Sequence, residues 1–195
     1  SDLRGVTAVI ASDLDHDGDL DLAISSSTGI SLWTGRGDLT FIDITGNSQI
    51  PPAELKVTSM SAVDIDQDLD TDILVGSQSQ PLGYLENTGH GRFRWLILPE
   101  SDPLSVAANS LTVIGSSPQR SWNLLFAGPR GAFLMPTVSP QVGLVRCESA
   151  QRISDIPANG LMKWDYDNDG WTDVATWSGN EVRLFRGEPD DQFHD

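Results

Sequence analysis

An acidic loop recurs at a fixed interval, divides the chain into units of about fifty residues, and is accompanied by short apolar runs in each unit. Together these predict an all-β fold. The units read as about four four-stranded antiparallel blades of a β-propeller, or of a propeller fragment. Each acidic loop is expected to join the first strand of its blade to the second.

The loop first occurs as Asp13-Leu14-Asp15-His16-Asp17-Gly18-Asp19-Leu20-Asp21, a D-x-D-x-D-G-x-x-D string. It returns as Asp64-Ile65-Asp66-Gln67-Asp68-Leu69-Asp70-Thr71-Asp72, with Leu69 in place of glycine. It returns again as Asp165-Tyr166-Asp167-Asn168-Asp169-Gly170-Trp171-Thr172-Asp173. The second loop starts 51 residues after the first, and the third starts 101 residues after the second. That gap leaves room for one more unit, centred near residue 115. There, residues 111–128 hold an apolar run, a polar loop without any acidic residue, a second apolar run and Gly128. The units are therefore placed at about 6–50, 57–101, 108–150 and 158–195, the last one incomplete.

Strands follow from short β-branched and apolar runs bounded by turn residues. In the first unit these are 6–11, 20–25, 30–34 and 41–44, with Gly29 and the 35–38 turn between them. In the second they are 59–63, 73–76, 83–86 and 93–98, with Gly89-His90-Gly91 as a turn. In the last they are 160–164, 174–177 and 182–186, followed by a piece of an outer strand at Phe193-His194-Asp195. Blades that sandwich one another bury both faces of a strand, so strict alternation weakens, as in Leu20-Asp21-Leu22-Ala23-Ile24. No stretch has a helical period. Pro51-Pro52 and the Pro99–Pro103 region mark junctions between units.

Carboxylates at alternate positions of a tight loop converge on one point. Without a cation they repel. A hard cation that takes six to eight oxygens at about 2.3–2.6 Å suits them. The loop is not an EF-hand, because the twelfth position is Ile24, Val75 or Thr176, none of which carries a carboxylate. The G-G-x-G-x-D nonapeptide calcium repeat is absent as well.

Composition narrows the function further. The 195 residues carry a net charge of −16, which argues against nucleic acid and anionic membranes as partners. The one cysteine, Cys147, allows no disulfide within the chain and reads as a small core residue. No apolar run reaches the length of a membrane span. The opening at Ser1-Asp2-Leu3 suits a mature form or an excised fragment. There is no G-x-S-x-G elbow, H-E-x-x-H motif or phosphate loop. The acids outside the loops, such as Glu54, Glu100, Asp155 and Glu181, form no visible pair, so the chain is read as non-enzymatic. Arg36-Gly37-Asp38 matches an integrin-binding tripeptide, but three-residue strings recur by chance. His16, His90 and His194 have no metal-ligand spacing. Tryptophans in strands read as packing between units, while Trp171 projects from an acidic loop.

Three D-x-D-x-D-[GL]-x-x-D loops, each before an apolar strand in a unit of about fifty residues, resemble the FG-GAP/VCBS repeat family, which includes the propeller repeats of integrin alpha subunits. The strings at 32–45 and 165–170 look most like the bacterial VCBS subgroup found with ASPIC/UnbV modules. The resemblance implies up to three Ca2+ ions. The first would be held by Asp13, Asp15, Asp17, Asp21 and the Asp19 carbonyl. The second would be held by Asp64, Asp66, Asp68, Asp72 and the Asp70 carbonyl, and the third by Asp165, Asp167, Asp169, Asp173 and the Trp171 carbonyl. Leu69, at a position suited to glycine, is expected to make the second loop the weakest. The implied role is a binding, adhesion or scaffold module whose partner is a protein or a glycan. Extracellular calcium modules have Kd values of about 10⁻⁴–10⁻³ M, so the expected location is extracellular, at the cell surface or in the periplasm. The alternative is part of a propeller-type polysaccharide lyase or hydrolase.

Overall fold

Short apolar runs divided by turns pair with their nearest neighbours in sequence, and this makes four antiparallel sheets. The structure, a computed structural model, describes residues 3–78, 82–98, 107–115 and 122–195. The first sheet contains β1 (Ala8–Ser12), β2 (Asp21–Ser26), β3 (Gly29–Gly35) and β4 (Phe41–Asp43) in chain order. The second contains β5 (Val57–Val63), β6 (Asp72–Ser77), β7 (Gly83–Asn87) and β8 (Phe93–Ile97). Apart from strands, the described residues contain two 3₁₀ turns, Thr45–Asn47 and Pro189–Asp191.

The third unit departs from the four-strand expectation. It has β9 (Ser110–Gly115), β10 (Trp122–Gly128), an eleven-residue β11 (Gly131–Gln141), β12 (Leu144–Cys147) and β13 (Gln151–Ser154). β11 is long enough to serve two partners on one side. Ala132–Leu134 pairs with β13, while Thr137–Gln141 pairs with β12. The polar loop expected at 116–121 and the Pro99–Pro103 junction lie outside the described residues. The last unit differs too. After β14 (Gly160–Trp164), β15 (Asp173–Ser178) and β16 (Glu181–Glu188) comes β17 (Gln192–His194), paired as Arg186↔His194 and Glu188↔Gln192. The outer strand that the sequence reading leaves unfinished is therefore formed, and it is as short as β4.

The sheets stack in chain order, with β1 against β5, β5 against β9 and β9 against β14. Successive side chains on a strand point to opposite faces, so each middle sheet feeds two cores. On β6, Ile73 and Val75 join the core shared with the first sheet, while Leu74 joins the core shared with the third. On β10, Leu124 and Phe126 face the second sheet, whereas Leu125 and Ala127 face the fourth. This two-sided burial is why all six residues of β6 are buried. Two tryptophans pack within their own sheets: a Cβ on Gly160 would come within 2.1 Å of the Trp177 ring, and one on Gly83 within 2.2 Å of the Trp95 ring.

Among the described residues, four sheets thus share three inter-sheet cores, in a propeller-like stack. The outward face of the last sheet is open. Val182 is 73% exposed, while its register equivalents Ile30 and Leu82 are 3% and 7% exposed. Val9 and Phe41 on the first sheet are exposed likewise, whereas Phe93, the equivalent of Phe41 one sheet on, is buried.

Candidate metal centres

Each acidic loop connects the first and second strands of its sheet, and its ninth residue opens the second strand: Asp21 on β2, Asp72 on β6 and Asp173 on β15. These three carboxylates are buried, and both oxygens of each are tied to backbone N–H groups. Asp21 accepts from Leu14 N at 2.7 Å and Gly35 N at 2.9 Å. Asp72 accepts from Ile65 N at 3.0 Å and Asn87 N at 2.8 Å. Asp173 accepts from Tyr166 N at 2.7 Å and Gly187 N at 2.8 Å. The ninth Asp therefore clamps the loop to the third strand of its sheet. This role was not visible in the sequence, because the donors at Gly35, Asn87 and Gly187 are backbone N–H groups, which almost any residue supplies.

The first and fifth Asp set the loop's curvature. Asp13 Oδ2 accepts from Gly18 N, Asp64 Oδ2 from Leu69 N, and Asp165 Oδ2 from Gly170 N. Asp17, Asp68 and Asp169 each accept through Oδ1 from the N–H of the seventh residue, Asp19, Asp70 or Trp171, at 2.9 Å. The sixth residue is left-handed throughout: Gly18 has φ 92°, Gly170 92° and Leu69 78°. The fourth residue is left-handed too, with φ 64° at His16, 64° at Gln67 and 59° at Asn168. Asn and His tolerate that region better than most residues, which was the available signal for it.

Carboxylate oxygens converge in each loop. One oxygen each from Asp13, Asp15 and Asp17 lie within 4.8 Å of one another; so do those of Asp64, Asp66 and Asp72, and those of Asp165, Asp167 and Asp173. The side chains of Asp21, Asp68 and Asp169, expected as ligands, are not among these groups, nor are those of Asp19 and Asp70, and Asp70 Oδ1 lies 3.4 Å from His16 Nε2 of the neighbouring loop. Asp13 Oδ1 is buried without a hydrogen-bond partner. A buried carboxylate oxygen without a donor is costly, and a cation among the three oxygens offsets that cost. The donor set is all oxygen, as a hard divalent ion requires, so these residues fit calcium.

Electrostatics separate the loops. Burial, with Asp21 and Asp17 nearby, raises the Asp15 carboxyl above its usual range. Burial and then Asp68 push Asp66 up to about 6, and burial pushes Asp72 up to about 8 against the pull of its two N–H donors. The second loop is the most enclosed because the third unit covers it. Trp122 Nε1 donates to the Asp64 carbonyl at 2.6 Å, while Ser139 Oγ and Gly143 N donate to the Asp66 carbonyl at 2.9 and 3.1 Å. The first loop is covered by the second unit, where Asn87 Nδ2 donates to the Leu14 carbonyl at 2.7 Å. On the last loop Tyr166 and Trp171 are exposed, with Tyr166 edge-on to Trp164 at 6.5 Å. Arg36-Gly37-Asp38 is an exposed turn in which Gly37 has φ 70°.

Residues 13–75 match the model of the FG-GAP-like repeat, a span that includes the first two loops. The match supports the FG-GAP family for this repeat. No curated protein matches the chain. Solved structures with a similar fold include a lectin of Agrocybe aegerita, described for its specific recognition of non-reducing terminal N-acetylglucosamine. The similarity has a TM-score of 0.61 at 14% identity, covering 95% of this chain and 50% of the lectin. The chain thus spans about half the length of that lectin.

Proposed function

We propose that the chain is a calcium-binding, propeller-type binding module that works outside the cytoplasm, engages a protein or glycan ligand and performs no catalysis. The observation that carries the calcium reading is the convergence of Asp13, Asp15 and Asp17 around a buried Asp13 oxygen that has no donor. Asp15, Asp17 and Asp13 would hold the ion in the first loop, with Asp21 clamping the loop behind them. Asp64 and Asp66, with Asp72 behind, would do the same in the second. Bound calcium supplies charge neutralisation, which lets the carboxylates stay ionised and close together. Carboxylates held that way are poor general acids, consistent with a non-enzymatic role.

For the ligand, the lectin-like neighbour favours a glycan over a protein. Screening the chain against an array of glycans in 2 mM calcium, with a chelated control, tests this. Calcium-dependent retention of a glycan supports the reading. Release of a cleaved or unsaturated oligosaccharide would instead favour the lyase or hydrolase alternative.

A further inference from the structure

The ninth Asp of each loop faces one residue on the adjacent third strand, a step beyond the pairs Leu22↔Trp33, Ile73↔Leu85 and Val174↔Phe185. That residue is Thr34 in the first unit, Glu86 in the second and Arg186 in the last. Thr34 Oγ1 donates to Asp15 Oδ2 at 3.2 Å, a neutral contact. Glu86 points its charge at Arg94, whose Nε lies 2.7 Å from Glu86 Oε2. Arg186 does something different: its Nη2 lies 2.9 Å from Asp167 Oδ2 and 2.8 Å from Asp169 Oδ2. One guanidinium thus bridges the third and fifth carboxylates of the loop. Asp169 Oδ1 is engaged by Trp171 N, so Arg186 takes the remaining oxygen of Asp169 as well as one from Asp167, which belongs to the converging group.

We infer that Arg186 is a built-in counter-ion of the 165–173 loop, which competes with calcium for Asp167 and Asp169 and makes this loop the weakest calcium site of the three. The inference rests on the calcium reading above. It reverses the order expected from Leu69 alone, in which the second loop is weakest. A divalent ion entering the last loop has to displace Arg186 or share the site with its positive charge. At a solvent-exposed site, the lost ion pairs and the added repulsion together weaken binding on the order of tenfold. At the equivalent position the first two loops have no cation: Thr34 is neutral and the Glu86 charge is negative.

Calorimetric titration with calcium chloride tests this on the full chain, on Arg186→Thr (the first unit's residue) and on Arg183→Ser. The last variant removes the same charge from the same strand but away from the loop. The unaltered chain and Arg183→Ser should each show two tighter sites and a third that is weak or silent. Arg186→Thr should bring the third site on the order of tenfold tighter, towards the other two. Circular dichroism melts in chelator check that each variant is folded. Three sites of like affinity in the unaltered chain, or a third site unmoved by Arg186→Thr, overturn the inference and leave the calcium reading standing. No calcium heat from any of the three proteins overturns both.

Discussion

The backbone at the sixth loop position allows a reciprocal test. Gly18 and Leu69 hold the same place in two loops, with φ 92° and 78°. Leu69 is 81% exposed, and a Cβ on Gly18 would meet nothing within 4 Å. Packing therefore drops out of the comparison, and backbone conformation remains. A left-handed residue with a Cβ costs roughly 1–2 kcal/mol. Glycine gives back about 0.5–1 kcal/mol of that through the entropy of the unfolded chain. Leu69→Gly should then stabilise the protein by about 0.5–1 kcal/mol, and Gly18→Leu should destabilise it by about as much. For a chain of this size, each should move Tm by about 1–4 °C, in opposite directions. Urea melts in a fixed calcium buffer measure both. A destabilising Leu69→Gly, or a neutral Gly18→Leu, would refute the reasoning that φ at this position governs the cost.

The open face of the last sheet predicts unequal truncation costs. Leu82→Ala, in the core between the second and third sheets, should cost about 2–5 kcal/mol, and Val182→Ala within about 1 kcal/mol; equal costs in chemical denaturation would mean that the last sheet is covered. The carboxyls of Asp66 and Asp72 sit near about 6 and about 8, against about 3.9 in an unfolded chain. In the fold both favour the protonated acid, so their contribution is present below about pH 4 and is lost as pH rises through those values. In calcium-free buffer Tm should fall between pH 5.5 and 8.5. The rise in Tm given by calcium should grow over the same range, since the ion needs ionised carboxylates. A calcium-free Tm that climbs with pH contradicts this.

Much of the fold was legible because the loop repeats. The 51-residue spacing and its doubling pointed to a further unit between the second and third loops, whose β9 and β10 lie at 110–128 against the 111–128 read from the sequence. Strand ends shifted by a few residues; β6 and β15 each open one residue before the apolar run, because Asp72 and Asp173 pair through their backbones with Val63 and Trp164. The third unit was less legible. Nothing in Gly131–Gln141 announces a strand long enough to pair with two others, and that choice is made by tertiary contact with the second loop. At the site, spacing identified the converging carboxylates. It did not reveal Arg186, Thr34 or Glu86, whose relevance depends on the hairpin register of each sheet. Nor did it show that the ninth Asp spends both oxygens on backbone N–H groups, so that it acts as a clamp as much as a ligand.

The proposal that calcium is a structural ion of the loops can be measured directly. At 2 mM calcium and Kd values of about 10⁻⁴–10⁻³ M, each occupied site adds about 0.6–1.8 kcal/mol to stability. Thermal melts at pH 7.5 in chelator and in 2 mM calcium chloride, with magnesium chloride as the control, measure it. With a structural calcium, Tm should be higher by several degrees in calcium and little changed by magnesium. The same Tm in chelator and in calcium would contradict the proposal.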